Sequence, residues 1–88
     1  MLVQITAASI LGKVLRDIRK SRGLTQKDIS EEVGLIQATI SSFETSPERT
    51  KLDTLFKLLA ALDLKLYVVN RKVDLHTEKA DDGWDQEW

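Results

Sequence analysis

The sequence predicts an all-α domain of four to five short helices followed by a single β-strand. Three observations point there. Apolar residues recur at helical spacing between Ile10 and Leu62, a glycine at position 34 interrupts two helical stretches, and from Leu64 the apolar period changes from 3.6 to 2. The expected organisation is a helical body over residues 1–63, a strand segment over 64–72 and an acidic tail over 73–88.

The first helix is expected to end near Ser21, with Thr6 or Ser9 as its cap. Ile10, Leu11, Val14, Leu15 and Ile18 cover one face, and Gly23 ends the connection to the next helix. Thr25 with Asp28 three residues on reads as a cap, so the second helix starts near Gln26. Ile29, Val33, Leu35, Ile40 and Phe43 converge on one side of the second and third helices. Ser30 is small where those helices approach, and Gly34 supplies a left-handed stop. The span from Thr25 to Glu44 therefore reads as a helix-turn-helix. After it, Thr45-Ser46-Pro47-Glu48-Arg49 is turn-rich, because Pro47 breaks a helix interior. Thr50 and Asp53 repeat the cap pattern for a helix from about Leu52 to Leu62, with Leu52, Leu55, Phe56, Leu59 and Leu62 as its buried stripe.

On the third helix, Ile40 and Phe43 point inward. Ala38, Ser41, Ser42 and Thr45 point outward, with Gln37 on the flank at the N-terminal end. Such a small, polar face suits a helix lying in the DNA major groove, because short side chains let the backbone approach the base edges. Gln37 is the expected reader, its amide matching N6 and N7 of adenine, and Ala38 is placed to touch a thymine methyl. The competing reading is an ordinary helical hairpin whose outer face is merely solvated.

A formal net charge of −1 argues against nucleic-acid binding when taken over the whole chain. Its distribution removes the objection. Residues 1–72 carry twelve Lys and Arg against eight Asp and Glu, whereas residues 73–88 carry one Lys against six Asp and Glu. Lys13, Arg16, Arg19, Lys20 and Arg22 form a basic run expected to supply phosphate contacts.

Beyond the fourth helix, Leu64, Leu66 and Val68 alternate with Lys65, Tyr67 and Val69. A lone strand leaves unpaired backbone groups, so pairing with the same strand of a second copy, through Leu64, Leu66, Tyr67 and Val68, is the economical expectation. A strand lying over its own helices and a continued helix are the alternatives. In the tail, Trp84 and Trp88 are large apolar groups with no obvious solubilising purpose. They are read either as anchors for a protein partner or as residues that fold back on the body.

Composition narrows the function classes. At 42% hydrophobic and 31% charged, the chain reads as a soluble globular protein, and no apolar run approaches the ~20 residues needed to cross a bilayer. The start at Met1-Leu2-Val3-Gln4-Ile5 lacks a basic leader, so no signal peptide is expected. The absence of cysteine is compatible with a reducing cytoplasm. Catalysis is not expected. The only histidine is His76, Asp81 and Asp82 lack a rigid frame, and no metal cluster, cofactor motif or small-molecule substrate site is legible.

Thr25 to Glu44, followed by Pro47, Thr50 and the Leu-rich helix, resembles the lambda-repressor and Cro class, also called Xre. The resemblance is closer to the HipB-like antitoxins. Gln37-Ala38-Thr39-Ile40-Ser41, Phe43-Glu44, the Pro47 loop, the strand after Leu64, the chain length and Trp88 carry it. It implies a lambda-repressor-like domain whose single C-terminal strand pairs across a homodimer. It further implies a cytoplasmic, nucleoid-associated repressor that binds inverted-repeat operators of its own operon and a HipA-like serine/threonine kinase toxin. The resemblance puts Gln26 on phosphate, Gln37 on a base and Trp88 on the toxin; with the residues read above, the expected DNA contacts are Gln26, Lys27, Gln37, Ala38, Thr39, Ser41, Ser42 and Arg16, and the additional Trp84 is expected to join Trp88 in docking. Ile36 departs from the pattern, which offers a lysine there, and Lys27 is placed to compensate. A free-standing Xre-type regulator without a toxin is the other reading. A third is a purely protein-binding module in which the acidic tail occupies a basic groove on a partner.

Overall fold

Helices form where the apolar periods require them: α1 spans Ala8–Ser21, α2 Gln26–Val33, α3 Gln37–Thr45 and α4 Leu52–Ala61, with a short 3-10 turn at Pro47–Arg49. The computed structural model describes residues 1–72. Leu15, Ile29, Ile40, Phe43, Leu55, Leu58, Leu59 and Leu62 form one buried core, so every helix contributes to it. α3 packs against both α1 and α2, α4 packs against α2, and the 3-10 turn bridges α1 and α3.

The second helix starts as its residues require. The Thr25 hydroxyl accepts the Asp28 backbone N–H at 3.0 Å, and the Asp28 carboxylate accepts the Thr25 N–H at 2.8 Å, a reciprocal cap. Those contacts, the backbone N–H of Thr25 first, hold the Asp28 carboxyl below its ordinary range. Gly34 ends the helix at φ 72°, ψ 26°, and a Cβ there would meet nothing within 4 Å. The glycine is therefore needed for its backbone conformation alone. Ser30, 7% exposed between α2 and its neighbours, satisfies its hydroxyl by donating to the Lys27 carbonyl at 2.9 Å.

Two expected caps are not used. α1 starts from Ala7 without a side-chain cap, so neither Thr6 nor Ser9 fills that role. The start is closed by the backbone alone, the Ile10 and Leu11 N–H groups donating to the Ala7 carbonyl at 3.1 and 3.2 Å. α4 starts from Lys51, because the Thr50 N–H closes the 3-10 turn on the Pro47 carbonyl at 3.0 Å. Displaced by one residue, Asp53 pairs with Lys57 at 3.5 Å rather than completing a capping box.

The stripe of α4 is rotated relative to the expectation. Leu55, Leu58, Leu59 and Leu62 are buried, whereas Leu52 is 71% and Phe56 52% exposed. Both Leu52-Leu55-Phe56-Leu59 and Leu55-Leu58-Leu59-Leu62 follow the spacing i, i+3, i+4, i+7, and packing against the core selects the second set, leaving Leu52 and Phe56 on an adjoining face. Gly12 was not singled out by the sequence, yet it is buried. A Cβ added there would lie 2.7 Å from Pro47 Cγ and 3.0 Å from the Phe43 carbonyl oxygen, so the glycine lets the 3-10 turn close onto α1.

Residues 64–70 form neither helix nor strand within the single chain. The helix stops at Ala61, Asp63 takes a left-handed φ of 56°, and the Leu64 N–H returns to the Leu59 carbonyl at 2.8 Å. A continued helix is thereby excluded. Leu64 packs against the core, while Leu66, Tyr67 and Val68 are 51%, 75% and 91% exposed. With Phe56, Leu59 and Ala60, the residues Leu64, Leu66 and Tyr67 border an open groove of about 430 Å³. Trp84, Trp88, His76, Asp81 and Asp82 lie outside the described residues.

Candidate nucleic-acid interface

The N-terminal ends of α2 and α3 meet at a chain of four polar side chains. Arg19, on α1, donates from Nε and Nη2 to the two carboxylate oxygens of Glu44, on α3, at 2.7 and 3.0 Å, a bidentate pair. Its third donor, Nη1, reaches the Leu24 carbonyl at 2.7 Å. The side chains of Arg19 and Glu44 are 8% and 6% exposed. Arg19 is thus a strut inside the fold and not the phosphate contact that its place in the basic run suggested. Within a 14-residue helix, its position faces the core side of α1 rather than the solvent side occupied by Lys13, Arg16 and Lys20.

Glu44 carries the network outward. Its Oε1 also accepts from Gln26 Nε2 at 3.0 Å, and Gln26 Oε1 faces Gln37 Nε2 at 3.4 Å. Burial acts to raise the Glu44 carboxyl, but hydrogen bonds from Arg19 and Gln26, with the charges of Arg19 and Arg16, outweigh it and leave it below its ordinary range. The site therefore holds a fixed anion, an inner amide and an outer amide in series. Gln26 is half-buried, while Gln37 is exposed at the first position of α3.

Around Gln37 the expected surface is present. Ala38 and Ser42 are exposed, and Thr39 and Ser41 are half-buried. The Thr45 hydroxyl is spent on its own helix, donating to the Ser41 carbonyl at 3.0 Å. Ile36, the residue before α3, is 70% exposed beside Gln37. Arg16 is exposed on α1, and Lys27 is exposed at the start of α2, 3.9 Å from Glu31 in a solvent-screened pair. The structure thus brings Gln26 and Gln37 together and sets Arg16 near enough to Glu44 for its charge to act there, while Lys27 on α2 and Ala38 and Ser42 on α3 are exposed. Glu44 was read as part of the motif without a role of its own. No local signal reveals its pairing with a residue 25 positions earlier.

A helix-turn-helix family profile matches residues 15–69. Antitoxin HipB of Escherichia coli strain K12 is 35% identical over 69 residues, a match that covers 78% of each chain. The chain belongs to the HipB antitoxin family of helix-turn-helix proteins. A solved structure described as a HipA-HipB-O2-O3 complex superimposes with a TM-score of 0.78 at 34% identity, covering 81% of this chain and all of the HipB chain. A HipB-O4 20mer complex matches with the same score and identity and the same coverage. Antitoxin HigA1 of Mycobacterium tuberculosis is 38% identical over 52 residues, 59% of this chain but only 35% of HigA1. Among these, HipB shares both length and fold with the chain, so the HipB family frames its interface.

Proposed function

We propose that this HipB-family protein is a DNA-binding repressor and antitoxin: two copies bind an inverted-repeat operator of their own operon, and the same dimer binds a HipA-like toxin. The observation that carries the DNA reading is the exposed Gln37 amide at the start of α3, steadied by Gln26 and flanked by exposed Ala38 and Ser42. In the groove, Gln37 reads adenine and Ala38 touches a thymine methyl. Gln26, Lys27, Arg16, Thr39, Ser41 and Ser42 hold phosphates or the groove wall. The likeness to HipB structures with O2-O3 and O4 supports this placement, and the complex that also contains HipA favours an antitoxin over a free-standing regulator.

Dimerisation follows from what α4 leaves bare. Leu66, Tyr67 and Val68 are exposed together with Phe56 and Leu52, and Leu64 anchors the segment to the core. Pairing of residues 64–70 across a two-fold axis gives their backbone groups ladder partners and covers Phe56, while placing two copies of α3 about one helical turn apart. The division of labour is then a DNA-binding body over 1–63, a dimerisation strand over 64–72 and a tail over 73–88 whose Trp84 and Trp88 dock on the toxin. The protein works in the cytoplasm at the nucleoid, as a regulator and not as an enzyme. None of the described helices is long and apolar enough to cross a membrane.

The test is a gel-shift titration with DNA from upstream of the gene at several salt concentrations. Affinity falls steeply as salt rises, and Gln37→Ala weakens the specific site by roughly 1–3 kcal/mol while random DNA is bound as before. Equal weakening on both DNAs would refute the reading role of Gln37.

A further inference from the structure

An amide side chain offers a donor at one end and an acceptor at the other, so turning it over reverses the pattern that it presents to a base pair. Nothing on α3 beside Gln37 decides between the two orientations. Glu44 does. An ionised carboxylate can only accept, so Glu44 Oε1, 3.0 Å from the Gln26 amide, admits the NH₂ end of that amide and turns Gln26 Oε1 toward α3. Gln26 Oε1 in turn admits only the NH₂ end of Gln37, at 3.4 Å. That distance exceeds the 2.7–3.2 Å of a full-strength bond, so the link biases the outer amide while leaving it able to adjust to DNA. Arg19 keeps the origin of the chain from turning, because its fork grips both carboxylate oxygens.

We propose that Glu44 is a positioning residue for base recognition: its buried carboxylate, acting through Gln26, fixes the donor–acceptor order of the Gln37 amide and so selects which strand must carry the adenine that Gln37 reads. The proposal rests on the base-reading role of Gln37 and extends it to a side chain buried away from the duplex. Exchanging A·T for T·A under Gln37 is then discriminated in the wild type by about 5- to 150-fold, the range of a good bidentate contact.

The experiment measures that ratio, and affinity for random DNA, by equilibrium titration of operator duplexes carrying either base pair. Four full-length variants are compared with the wild type: Gln37→Ala, Glu44→Gln, Arg19→Met with Glu44→Gln, and Leu55→Ala. Glu44→Gln frees the amide chain to turn over but orphans the Arg19 charge; the double variant removes that charge, so the fold is retained. The expected result is loss of discrimination to within about twofold in both Glu44 variants, with Leu55→Ala, a core defect on α4, keeping the wild-type ratio. Wild-type discrimination in the double variant overturns the role of Glu44, as does an equal loss in Leu55→Ala. If Gln37→Ala itself keeps the ratio, the base-reading role falls and the proposal falls with it; loss in Gln37→Ala but not in the double variant removes the Glu44 role alone.

Discussion

The two ends of the molecule are finished differently. At the mouth of α2 and α3, the charged groups are buried and satisfied, Arg19 using three nitrogens and Glu44 both oxygens, and the half-buried Gln26 links Glu44 to Gln37. Along α4 and residues 64–68, apolar groups are left in water, with Phe56 half exposed and Val68 almost bare. The first region is complete in one chain and holds its side chains in a set order. The second cannot satisfy its own apolar surface or backbone, which is the condition of an interface awaiting its partner. Under the proposed function, specificity is built into the protomer and affinity is completed by assembly.

Breaking the polar end has the largest expected effect. Glu44→Ala leaves the Arg19 guanidinium buried without its partner, and stability falls by about 3–5 kcal/mol in a denaturant titration. A loss under 1 kcal/mol would mean that the pair is solvated and not a strut. The same carboxylate sets an acid limit. Its folded pKa is lowered, so its contribution is complete above the ordinary carboxylate range and is lost as pH falls through the lowered value. Thermal melts from neutral to acidic pH should therefore show the Glu44→Ala deficit shrinking only at the acid end.

At the apolar end the expectation reverses. Phe56→Ser removes a side chain that is half exposed in the protomer and outside the buried core, so it weakens the dimer by about 1 kcal/mol per protomer in sedimentation equilibrium, half the value of a fully buried side chain. Unchanged self-association would place the dimer contact elsewhere. The smallest effect belongs to the entrance of α2. Thr25→Ala removes the hydroxyl that accepts the Asp28 N–H and costs about 1 kcal/mol of stability, read from the urea midpoint, without altering which base pair Gln37 prefers. A change of base preference would show that the cap, and not the buried carboxylate, orders the amides.

What the sequence disclosed follows the same division. Local rules sufficed for the cap of Thr25 and Asp28, the stop at Gly34, and the inward turn of Ile40 and Phe43, because each depends on residues within one turn. They failed where a distant residue intervened. Arg19 looked like one more cation in a basic run, since its partner lies on another helix. Thr50 resembled a helix cap but was already committed to the turn begun by Pro47. Gly12 carried no turn signal because it serves packing against Pro47 and not a backbone conformation. The α4 stripe contained two overlapping apolar faces, and only tertiary packing decided that Leu58 is buried and Phe56 is not. The alternation after Leu64 led to the expectation of a strand, yet residues 64–70 form none in the single chain, and in the proposed dimer a second copy supplies the missing partner.

That two copies jointly present Gln37 to an inverted repeat is tested most directly by counting protomers on footprinted DNA from upstream of the gene. Two protomers per protected site, covering half-sites about one helical turn apart and losing both protections together in Gln37→Ala, is the expected result. One protomer bound with full affinity to a single half-site would contradict it.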